Sequence, residues 1–501
     1  MKIVIVGGGT AGWISAAFIL KETMGYDVTV VESNTIPIIG AGEGSTGSLP
    51  WLLQQTGWEA NGNAFNEIDF LRKTKGTLKM GIRFQDWKGD GSHIYSPLNS
   101  TPTHKVPIDS TFFASILKNG RSDASSVHYK LMEDNHTVWG KDRTNRLMTG
   151  GSYAFHFDGH AVGNYFKEYC IKKGVKIINS EIDNLKFDDN EYLKSALLKN
   201  GQTIEGDLWF DCSGFARVLM GKTRNKWVSF KENLPANSAI PFSDTISSRT
   251  YKPFTEANAM DAGWMWKIPL QQRLGCGYVY CDDFQSFDKS VEEIEKTVGH
   301  KIEPIKHIKF EAGKYEQPWY NNIVANGLAS HFLEPLQATS IHMSIFTITN
   351  LVWFFLKSPE SVYSKGCRDS FNRMNNVMID DYRDMIQIHY LSGRSDTPFW
   401  KSIKNEIVIT DKNKELFDIA KHRCLGMLDF DSRHGTAGWP VWSHILDMAG
   451  MFDNKTMIEE ELRRYGRYQQ GLDWLQRQNT DYKRLKPDLM SAEEFFKYIK
   501  I

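Results

Sequence analysis

The sequence has few cysteines, and none of them are paired. Its 501 residues include six, each isolated in the chain: Cys170, Cys212, Cys276, Cys281, Cys367 and Cys424. Without Cys-x-x-Cys pairs or the histidine spacing of a zinc motif, this pattern argues against a structural metal site and a disulfide-stabilised secreted domain. We therefore expect a reduced, cytoplasmic protein that holds no metal.

An excess of charge of one sign is also missing. Sixty Lys and Arg residues balance sixty Asp and Glu residues, so no overall field attracts nucleic acid or an anionic membrane surface. The longest mostly apolar stretch, residues 344–356, is shorter than the roughly 20 residues needed to cross a bilayer. A nucleotide-binding pattern starts at Lys2, which leaves no room for a cleavable targeting peptide. We expect neither a nucleic-acid partner nor a membrane association.

Length and aromatic content are both high. A chain of 501 residues exceeds the roughly 250–300 at which a single hydrophobic core stops growing, so two coupled substructures are expected. Fifteen Trp, nineteen Tyr and twenty-nine Phe residues suggest a site lined with flat rings in addition to an aromatic core.

The N-terminal segment carries a dinucleotide-binding pattern. A β-branched run at residues 3–6 meets Gly7, Gly9 and Gly12 in the spacing GxGxxG, and a helical pattern and a second β-rich run ending in Glu32 follow. Gly7 allows a tight turn, Gly9 allows backbone amides to approach a pyrophosphate, and Gly12 allows helix and strand to pack closely. Glu32 is placed to accept hydrogen bonds from a ribose diol. The pattern predicts dinucleotide binding without distinguishing FAD from NAD.

A second element favours FAD. Residues 207–214 form an apolar strand that ends in Asp211 and is followed by a small residue and a glycine. In flavoproteins a late strand of this kind brings an aspartate to the ribityl chain of the flavin. Two nucleotide elements far apart in one chain suit an FAD that extends along a domain.

Residues 263–269 read GWMWKIP, a WxWxIP pattern that resembles the signature of the flavin-dependent halogenases, the tryptophan halogenase family. The resemblance spans most of the chain. The other matching segments are GGGTAGW (7–13), GAGEGST (40–46), FLRKTKGTLKMGIRFQDW (70–87), YAFHFDGHAVGNYF (153–166), FDCSGFAR (210–217), GCGYVY (275–280), GLASHFLEPLQATS (327–340), RDMIQIHY (383–390) and RSDTPFW (394–400).

The resemblance implies an α/β fold: a Rossmann-type, hydroxylase-like FAD-binding flavoprotein. Residues 1–342 would form the FAD-binding core with interleaved substrate segments, and residues 343–501 a mostly helical region covering the substrate site. Reduced FAD from a separate flavin reductase, O2 and chloride, bromide or iodide would yield hypohalous acid. This oxidant would reach Lys79 and halogenate an electron-rich aromatic substrate there, while Trp264 and Trp266 block the substrate's approach to the flavin.

The resemblance also implies the remaining site residues. Those for FAD are Gly7, Gly9, Thr10, Ala11, Gly12, Glu32, Ala41, Gly42, Asp211 and Leu333. Thr339 and Ser340 would bind the halide. Gln337 and Glu334 would join Lys79 in the catalytic site, with Glu334 as a structural residue. Strand alternation places Lys79 on the face of Thr77 and Gly81, whose small side chains leave space around the ammonium.

The sequence departs from the family in the segment EPLQATS, where tryptophan-specific members have EPLESTG. Gln337 replaces a glutamate, so it can donate and accept hydrogen bonds but cannot act as a general base. Ser340 replaces the glycine of the halide site and adds a side chain where backbone amides should hold the anion. Bromide or iodide, which cost less to dehydrate, are therefore expected to be preferred over chloride.

The substrate region departs as well. Residues 430–451 contain no cluster of tyrosines and a glutamate to hold an amino-acid backbone, so free tryptophan is not the expected substrate. Trp439, Trp442 and His444 either line an aromatic slot or belong to the core.

Two alternative functions stay open, as does the formation of a homo-oligomer. One is a flavin-dependent aromatic monooxygenase (a hydroxylase or an epoxidase), although Asp158-Gly159 lacks the Ser and Arg that usually follow this element in hydroxylases. The other is a non-enzymatic flavin-binding scaffold.

The C-terminal part carries helical patterns. Residues 345–356 are apolar almost all round and predict a buried helix. Residues 455–478 are strongly charged and predict one solvated amphipathic helix. Ser491 and Glu494 form the capping box of a final helix at 492–500.

Replacing Gln337 by glutamate tests whether the missing carboxylate in EPLQATS changes the pKa of Lys79. A lysine without a compensating carboxylate is more readily neutral in a dry pocket, so Gln337→Glu should raise the pKa of Lys79. The measurement is the pH titration of Lys79, with Lys79→Ala identifying its signal. A titration that does not change would contradict the hypothesis.

Overall fold

The computed structural model describes residues 1–36, 43–55, 67–98, 109–141, 147–431, 433 and 435–500. In chain order the strands are β1 (Lys2–Val6), β2 (Asp27–Glu32), β3 (Glu43–Gly44), β4 (Thr77–Lys79), β5 (Gly81–Gln85), β6 (His93–Pro97), β7 (His136–Lys141), β8 (Leu147–Thr149), β9 (Ala154–Phe157), β10 (Lys176–Asn179), β11 (Ile182–Phe187), β12 (Leu193–Leu198), β13 (Thr203–Glu205), β14 (Leu208–Asp211), β15 (Trp227–Ser229), β16 (Ser238–Asp244), β17 (Thr255–Met260), β18 (Gly263–Pro269), β19 (Leu274–Tyr280), β20 (Ile308–Lys309), β21 (Gly313–Tyr315), β22 (Trp319–Tyr320), β23 (Ile323–Ala325), β24 (His331–Phe332) and β25 (Leu489–Ser491).

The helices are α1 (Thr10–Glu22), α2 (Ser48–Gln55), α3 (Glu67–Lys73), α4 (Ser110–Asn119), α5 (Val127–Glu133), α6 (Gly159–Lys172), α7 (Phe287–Val298), α8 (Thr339–Asn350), α9 (Lys365–Tyr390), α10 (Pro398–Glu406), α11 (Asp411–Ile419), α12 (Gly438–Met448), α13 (Lys455–Arg464), α14 (Tyr468–Leu485) and α15 (Ala492–Lys500). Strands and helices mix along the chain, as the predicted α/β class requires.

The chain divides into two compact units, each formed from three separate segments. The first unit comprises Met1–Lys75, Phe157–Phe230 and Glu311–Asp380. The second comprises Gly76–His156, Lys231–Phe310 and Asp381–Ile501. These units alternate along the chain. The functional division into 1–342 and 343–501 stays a prediction.

The first unit contains a six-stranded sheet with the strand order β10-β2-β1-β14-β23-β22. The strands from β10 to β23 run parallel, and β22 is antiparallel to β23. Residues 3–6 of β1 and 208–211 of β14 are all buried, and a parallel strand covered on both faces is typically an unbroken apolar run. Burying each of these Val and Ile side chains stabilises the fold by about 2 kcal/mol.

Helix α1 follows β1 and packs against α6 and α8. The carboxyl ends of β1, β2 and β14 lie at one edge of the sheet, at Val6, Glu32 and Asp211. Open α/β sheets bind their ligands at such an edge, and the predicted nucleotide residues of the first unit therefore lie where the fold favours a ligand.

The second unit contains a seven-stranded sheet in the order β20-β16-β19-β18-β17-β5-β6. Its neighbouring strands are antiparallel except for β17 and β5, which are parallel. The WxWxIP segment forms the whole of β18, in the middle of this sheet. Separately, β4 pairs with β9 in an antiparallel arrangement.

The described elements after α8 are helical apart from β25. The prediction of one helix at 455–478 is wrong, because α13 ends at Arg464 and α14 begins at Tyr468. Gly466 between them has a φ of 64°, a left-handed conformation that ends a helix. The final helix and its capping box are confirmed: the Ser491 amide donates to Glu494 Oε2 at 2.8 Å, and the Glu494 amide donates to the Ser491 hydroxyl oxygen at 3.2 Å.

One helical stretch, Leu336–Phe355, is long and apolar enough to cross a membrane by length and composition. It begins earlier than the apolar run at residues 344–356. Sixty-one per cent of its most apolar part is buried inside the protein, as in the core helix of a globular fold.

Gly277 provides a test of packing in the large sheet. It lies opposite Trp266, and a Cβ at this position would lie 2.1 Å from two indole carbons of that tryptophan. Gly277→Ala should therefore lower the free energy of unfolding by about 1–3 kcal/mol, as overpacking does in other cores. The measurement is urea unfolding followed by far-UV circular dichroism.

Gly366→Ala is the matched control, because the nearest atom to a Cβ there, Ser364 Oγ, is 3.9 Å away. Gly366 lies in the first turn of α9, where alanine should leave stability unchanged or raise it slightly. Equal stability of the two variants would contradict the packing argument.

Candidate functional site

The turn between β1 and α1 depends on backbone contacts that exclude side chains. Gly7 has a φ of +119°, and a Cβ there would lie 2.2 Å from the Cys212 carbonyl oxygen after β14. A Cβ at Gly12 would lie 2.0 Å from the Gly7 carbonyl oxygen. The roles predicted for Gly7 and Gly12, a tight turn and close helix–strand packing, match these contacts.

Gly9 is different, because a Cβ there would meet nothing within 4 Å. It is the residue before α1, and a glycine has no side chain that could cap this helix. The amides of the first turn, including those of Thr10 and Ala11, therefore receive no cap from this residue, and the positive end of the helix suits a phosphate. The open space beside Gly9 fits the close approach of a pyrophosphate.

Glu32 ends β2 beside this turn, and its side chain is mostly buried. Its carboxylate forms an ion pair with Lys167 of α6, whose amine also lies 5.5 Å from the centroid of the Trp13 ring. A Cβ at Gly8 would lie 2.5 Å from Glu32 Oε2. Gly8 and Lys167 were not predicted. The middle position of the GGG run at residues 7–9 was a signal for Gly8, whereas nothing local in the sequence links Lys167 to Glu32.

Asp211 ends β14 and is completely buried. Its Oδ1 accepts hydrogen bonds from the amide and the hydroxyl of Ser213, and its Oδ2 accepts from the amides of Leu219 and Met220 at 2.8 Å. The carboxylate thus holds its own loop together. Its contact with a ribityl chain stays a prediction, and such a contact would share or replace one of these four donors.

The segment carrying Leu333 and Glu334 follows β24, and both residues are buried. A Cβ at Gly327, earlier in the same segment, would lie 2.7 Å from Ala11 Cβ, so this segment packs against the start of α1. The Thr10 hydroxyl donates to the Gly159 carbonyl at 3.0 Å. The structure therefore brings Thr10, Ala11 and the residue 327 turn together, whereas Ala41 and Gly42 lie outside the described residues.

Asp158-Gly159 has a structural role at the start of α6. The Asp158 carboxylate accepts a hydrogen bond from the Ala161 amide at 3.1 Å, as a helix cap does. A Cβ at Gly159 would lie 2.1 Å from Glu43 Oε1. The resemblance of this dipeptide to a hydroxylase element is explained by capping and packing.

The predicted halide residues lie at the start of α8. Gln337 and Ala338 both have left-handed conformations, with φ values of 65° and 57°, and Ala338, the residue before the helix that begins at Thr339, has no side chain that could cap it. The Thr339 hydroxyl oxygen is buried and has no hydrogen-bond partner among the described residues. A helix start with uncapped amides next to a buried hydroxyl is chemically suited to a small anion, and Ser340 lies in its first turn.

In the second unit, Lys79 is the last residue of β4 and is 1% exposed. Burial lowers its pKa to about 7. The strand alternation of Thr77 and Lys79 is confirmed, but Gly81 is not on the same strand, because the pairing of β4 with β9 ends at Lys79 and Gly81 begins β5 in another sheet.

Trp264 and Trp266 lie two residues apart on β18 and are both buried. Their ring centroids are 6.1 Å apart. Trp266 lies opposite Gly277 on β19 and Ala257 on β17, so small residues flank its indole. The predicted strand is confirmed, and the role of the two rings in excluding substrate from the flavin stays a prediction.

The candidate aromatic slot is part of the core. Trp439, Trp442 and His444 are all at most 2% exposed. Trp439 and His444 both pack against the Phe112 ring, and His444 Nδ1 lies 3.0 Å from the Ser122 hydroxyl.

The fold and the first-unit site define a dinucleotide-binding protein. The parallel sheet, the glycine turn with space at Gly9 and the acid at the end of β2 are those of a Rossmann-type fold.

Comparison with known proteins identifies the family. The family model for tryptophan halogenase matches residues 2–456. The chain is 32% identical over 437 residues to tryptophan 6-halogenase SttH of Streptomyces toxytricini, covering 81% of each chain. It is 30% identical over 445 residues to tryptophan 7-halogenase RebH of Lentzea aerocolonigenes, covering 83% of this chain and 81% of the relative. Among solved structures, BrvH, a flavin-dependent halogenase from Brevundimonas sp. BAL3, has a TM-score of 0.85 and 25% identity, covering 100% of this chain and 99% of that chain.

The chain belongs to the tryptophan halogenase family. It is an FADH2-dependent halogenase of the two-component kind, in which a separate reductase supplies the reduced flavin. FAD and a halide ion are the cofactor and co-substrate of this family's reaction.

The open space beside Gly9 leads to a prediction for the stability and the FAD affinity of a variant with one added methyl group. Gly9→Ala should fold as stably as the wild type, because the Cβ meets no protein atom within 4 Å. It should weaken FAD binding about tenfold or more, because the methyl group enters the space needed by the pyrophosphate. Thermal unfolding without FAD and FAD titration by fluorescence quenching measure the two effects.

Gly12→Ala is the comparison variant, since its Cβ would lie 2.0 Å from a carbonyl oxygen. This variant should lose stability without added flavin. Unchanged FAD affinity in Gly9→Ala would argue against a pyrophosphate at this turn.

Proposed function

We propose that this protein halogenates an electron-rich aromatic compound of the indole or phenol type, and that Lys79 delivers the halogen. Reduced FAD and O2 supply the oxidising power that converts a bound halide to hypohalous acid. The residues of the chain bind the cofactor and the halide, hold the reactive amine in place and exclude water.

The burial of Lys79 is the observation that carries the proposal. A lysine in contact with water keeps its proton near neutrality, whereas burial lowers the pKa of this one to about 7. Below that pH the ammonium predominates, and it can donate a hydrogen bond to hypohalous acid. Above it the neutral amine predominates, and its nitrogen can displace water from hypohalous acid to give a haloamine and one molecule of water. Either form fixes the oxidant at one place.

The start of α8 supports the halide part of the proposal. The uncapped first turn and the buried Thr339 hydroxyl offer hydrogen-bond donors to an anion. Ser340 brings a side chain to the same turn, which favours a large, weakly hydrated halide. We propose that bromide or iodide is preferred over chloride.

The neutral side chain of Gln337 supports a reaction without a carboxylate base at this position. Gln337 is buried and left-handed, and its amide brings neither a charge nor a basic oxygen. We propose that it acts through hydrogen bonds alone and that the buried Glu334 stabilises the loop.

The substrate class rests on the relatives and on the second unit. The curated relatives are named for tryptophan, which makes an indole the natural starting point. Residues 430–451 lack the tyrosines and the glutamate that would hold an amino-acid backbone, and Trp439, Trp442 and His444 are buried in the core. We propose that the substrate is an indole or phenol other than free tryptophan.

Replacing Lys79 tests the delivery step. Lys79→Ala should reduce halogenation of an indole and phenol panel at least about 100-fold, the size of effect expected for a residue that takes part in the chemistry. Mass spectrometry detects the halogenated products after incubation with a flavin reductase, FAD, O2 and halide. Oxidation of reduced FAD should continue in the variant.

Lys88→Ala is the matched control, because Lys88 is an exposed lysine of the same unit. It should halogenate at the wild-type rate. Halogenation that persists in Lys79→Ala would show that free hypohalous acid reacts with the substrate, and a gain of one oxygen in place of the halogen would show a monooxygenase.

The halide preference has its own test. With chloride, bromide and iodide present at equal concentrations, brominated or iodinated products should exceed the chlorinated product, because the larger anions are less costly to dehydrate. Ser340→Gly should shift the ratio toward chloride. A chloride preference in the wild type would overturn this part of the proposal.

A further inference from the structure

We propose that His156 is a positioning residue for Lys79 and that the protein holds it as a neutral imidazole with its proton on Nδ1. The inference rests on the proposed function of Lys79 and assigns a role to a residue outside the predicted site. His156 lies on β9 and is completely buried.

The register of two short strands places His156 next to the reactive lysine. Thr77 lies opposite His156 and Lys79 lies opposite Ala154 in the β4–β9 pair. Thr77 and Lys79 are two residues apart, so their side chains are on the same face of β4, and directly paired residues share a face of the sheet as well. Thr77, Lys79 and His156 therefore form one buried cluster.

The hydrogen bonds of Thr77 determine where the proton of His156 lies. The Thr77 hydroxyl oxygen is 2.5 Å from the Pro269 carbonyl oxygen and 3.2 Å from His156 Nδ1. Two oxygens this close require a proton between them, and the carbonyl has none to give. The single hydroxyl proton of Thr77 therefore goes to Pro269, and Thr77 accepts a hydrogen bond from a protonated His156 Nδ1.

The other ring nitrogen completes the assignment. His156 Nε2 lies 2.9 Å from the Thr255 hydroxyl oxygen. Burial, with a smaller contribution from the charge of Lys79, holds the pKa of His156 well below its usual range. The ring is therefore neutral, and Nε2 accepts a hydrogen bond from Thr255.

These contacts connect β4 to two strands of the large sheet. Pro269 ends β18, the strand that carries the WxWxIP motif, and Thr255 begins β17. Hydrogen bonds to the backbone hold the rest of the segment, since the Tyr251 hydroxyl donates to the Leu78 carbonyl at 3.1 Å and the Met80 amide donates to the Pro253 carbonyl at 2.7 Å. Lys79 thus lies between two anchored residues, and the His156 bridge fixes the strand that carries it.

The neutral state of His156 also matters electrostatically. A protonated imidazole in this cluster would place a second positive charge close to the amine of Lys79, in a region with little water. The tautomer defined by Thr77 and Thr255 gives His156 two hydrogen bonds without a charge. The bridge therefore positions the lysine without adding a like charge to its surroundings.

Nitrogen NMR of the imidazole tests the tautomer. The protein is labelled with [15N]histidine, and His156→Asn identifies the His156 signals among the fourteen histidines. We expect the shifts of a pyrrole-type Nδ1 and a pyridine-type Nε2, unchanged between pH about 6 and about 9. Thr255→Val, which removes only the donor to Nε2, should shift the Nε2 signal. A protonated Nε2, or a ring that titrates in this range, would overturn the assignment.

Two substitutions test the positioning role. His156→Asn keeps an N–H donor near the place of Nδ1, and His156→Leu removes it. We expect halogenated product per FADH2 oxidised to fall about tenfold or more in His156→Leu, because a displacement of the reactive group by about 1 Å can cost that much, and to recover at least in part in His156→Asn. Unchanged yield in His156→Leu would overturn the proposal.

The same assay separates this proposal from the proposed function. If Lys79→Ala retains the wild-type yield, the delivery role of Lys79 fails and the positioning role fails with it. If Lys79→Ala loses the product and His156→Leu does not, only the positioning role is overturned. Should His156→Leu not fold, Thr77→Val provides the same comparison, because it removes the acceptor of the Nδ1 proton.

Discussion

The desolvation of one amine is the constraint on which the proposed chemistry depends. A lysine that keeps its water would remain a hydrated ammonium, and it could neither bond to hypohalous acid through nitrogen nor hold the acid away from solvent. Lys79 is not hydrated in this way, because β4 is short and enclosed and the side chain is buried. Its neighbours Leu78 and Met80 have their backbone groups bound by other segments, so the amine is buried without leaving those groups unsatisfied. Enclosure gives both the altered acidity and the fixed position.

In the first unit, the carboxylates of Glu32 and Asp211 have different kinds of partners. Glu32 and Asp211 both end central strands, and the sequence assigns both to the cofactor. Glu32 forms an ion pair with Lys167 beside the glycine turn, and its contact with a ribose stays a prediction. Asp211 directs both oxygens to Ser213 and to two amides, which makes it the anchor of the loop after β14. An acid at the end of a strand can therefore pair with a basic residue far away in the sequence or stabilise its own loop.

Local patterns explain what the sequence predicted well. The glycine turn, the WxWxIP strand and the capping box at Ser491 each depend on residues close together in the chain, and the structure has all three. The family resemblance supplied Lys79, whose burial no local pattern reveals. The Lys167–Glu32 pair and the bridge from Thr77 through His156 to Thr255 join segments far apart in sequence, and so composition and spacing do not show them. Composition and spacing do not show the bounds of the two units either, because the three segments of each unit come together only in the folded chain.

The backbone before α8 has a consequence for engineering the enzyme. Two consecutive residues with side chains, Gln337 and Ala338, adopt left-handed conformations, each of which costs a non-glycine residue about 1–2 kcal/mol. The loop before α8 therefore holds conformational strain that the rest of the first unit must offset. A more heat-resistant enzyme could be sought at Ala338 itself, where glycine would relax the backbone without changing any side-chain donor. The loop that carries the proposed halide residues would then also be a place where thermal stability can be gained.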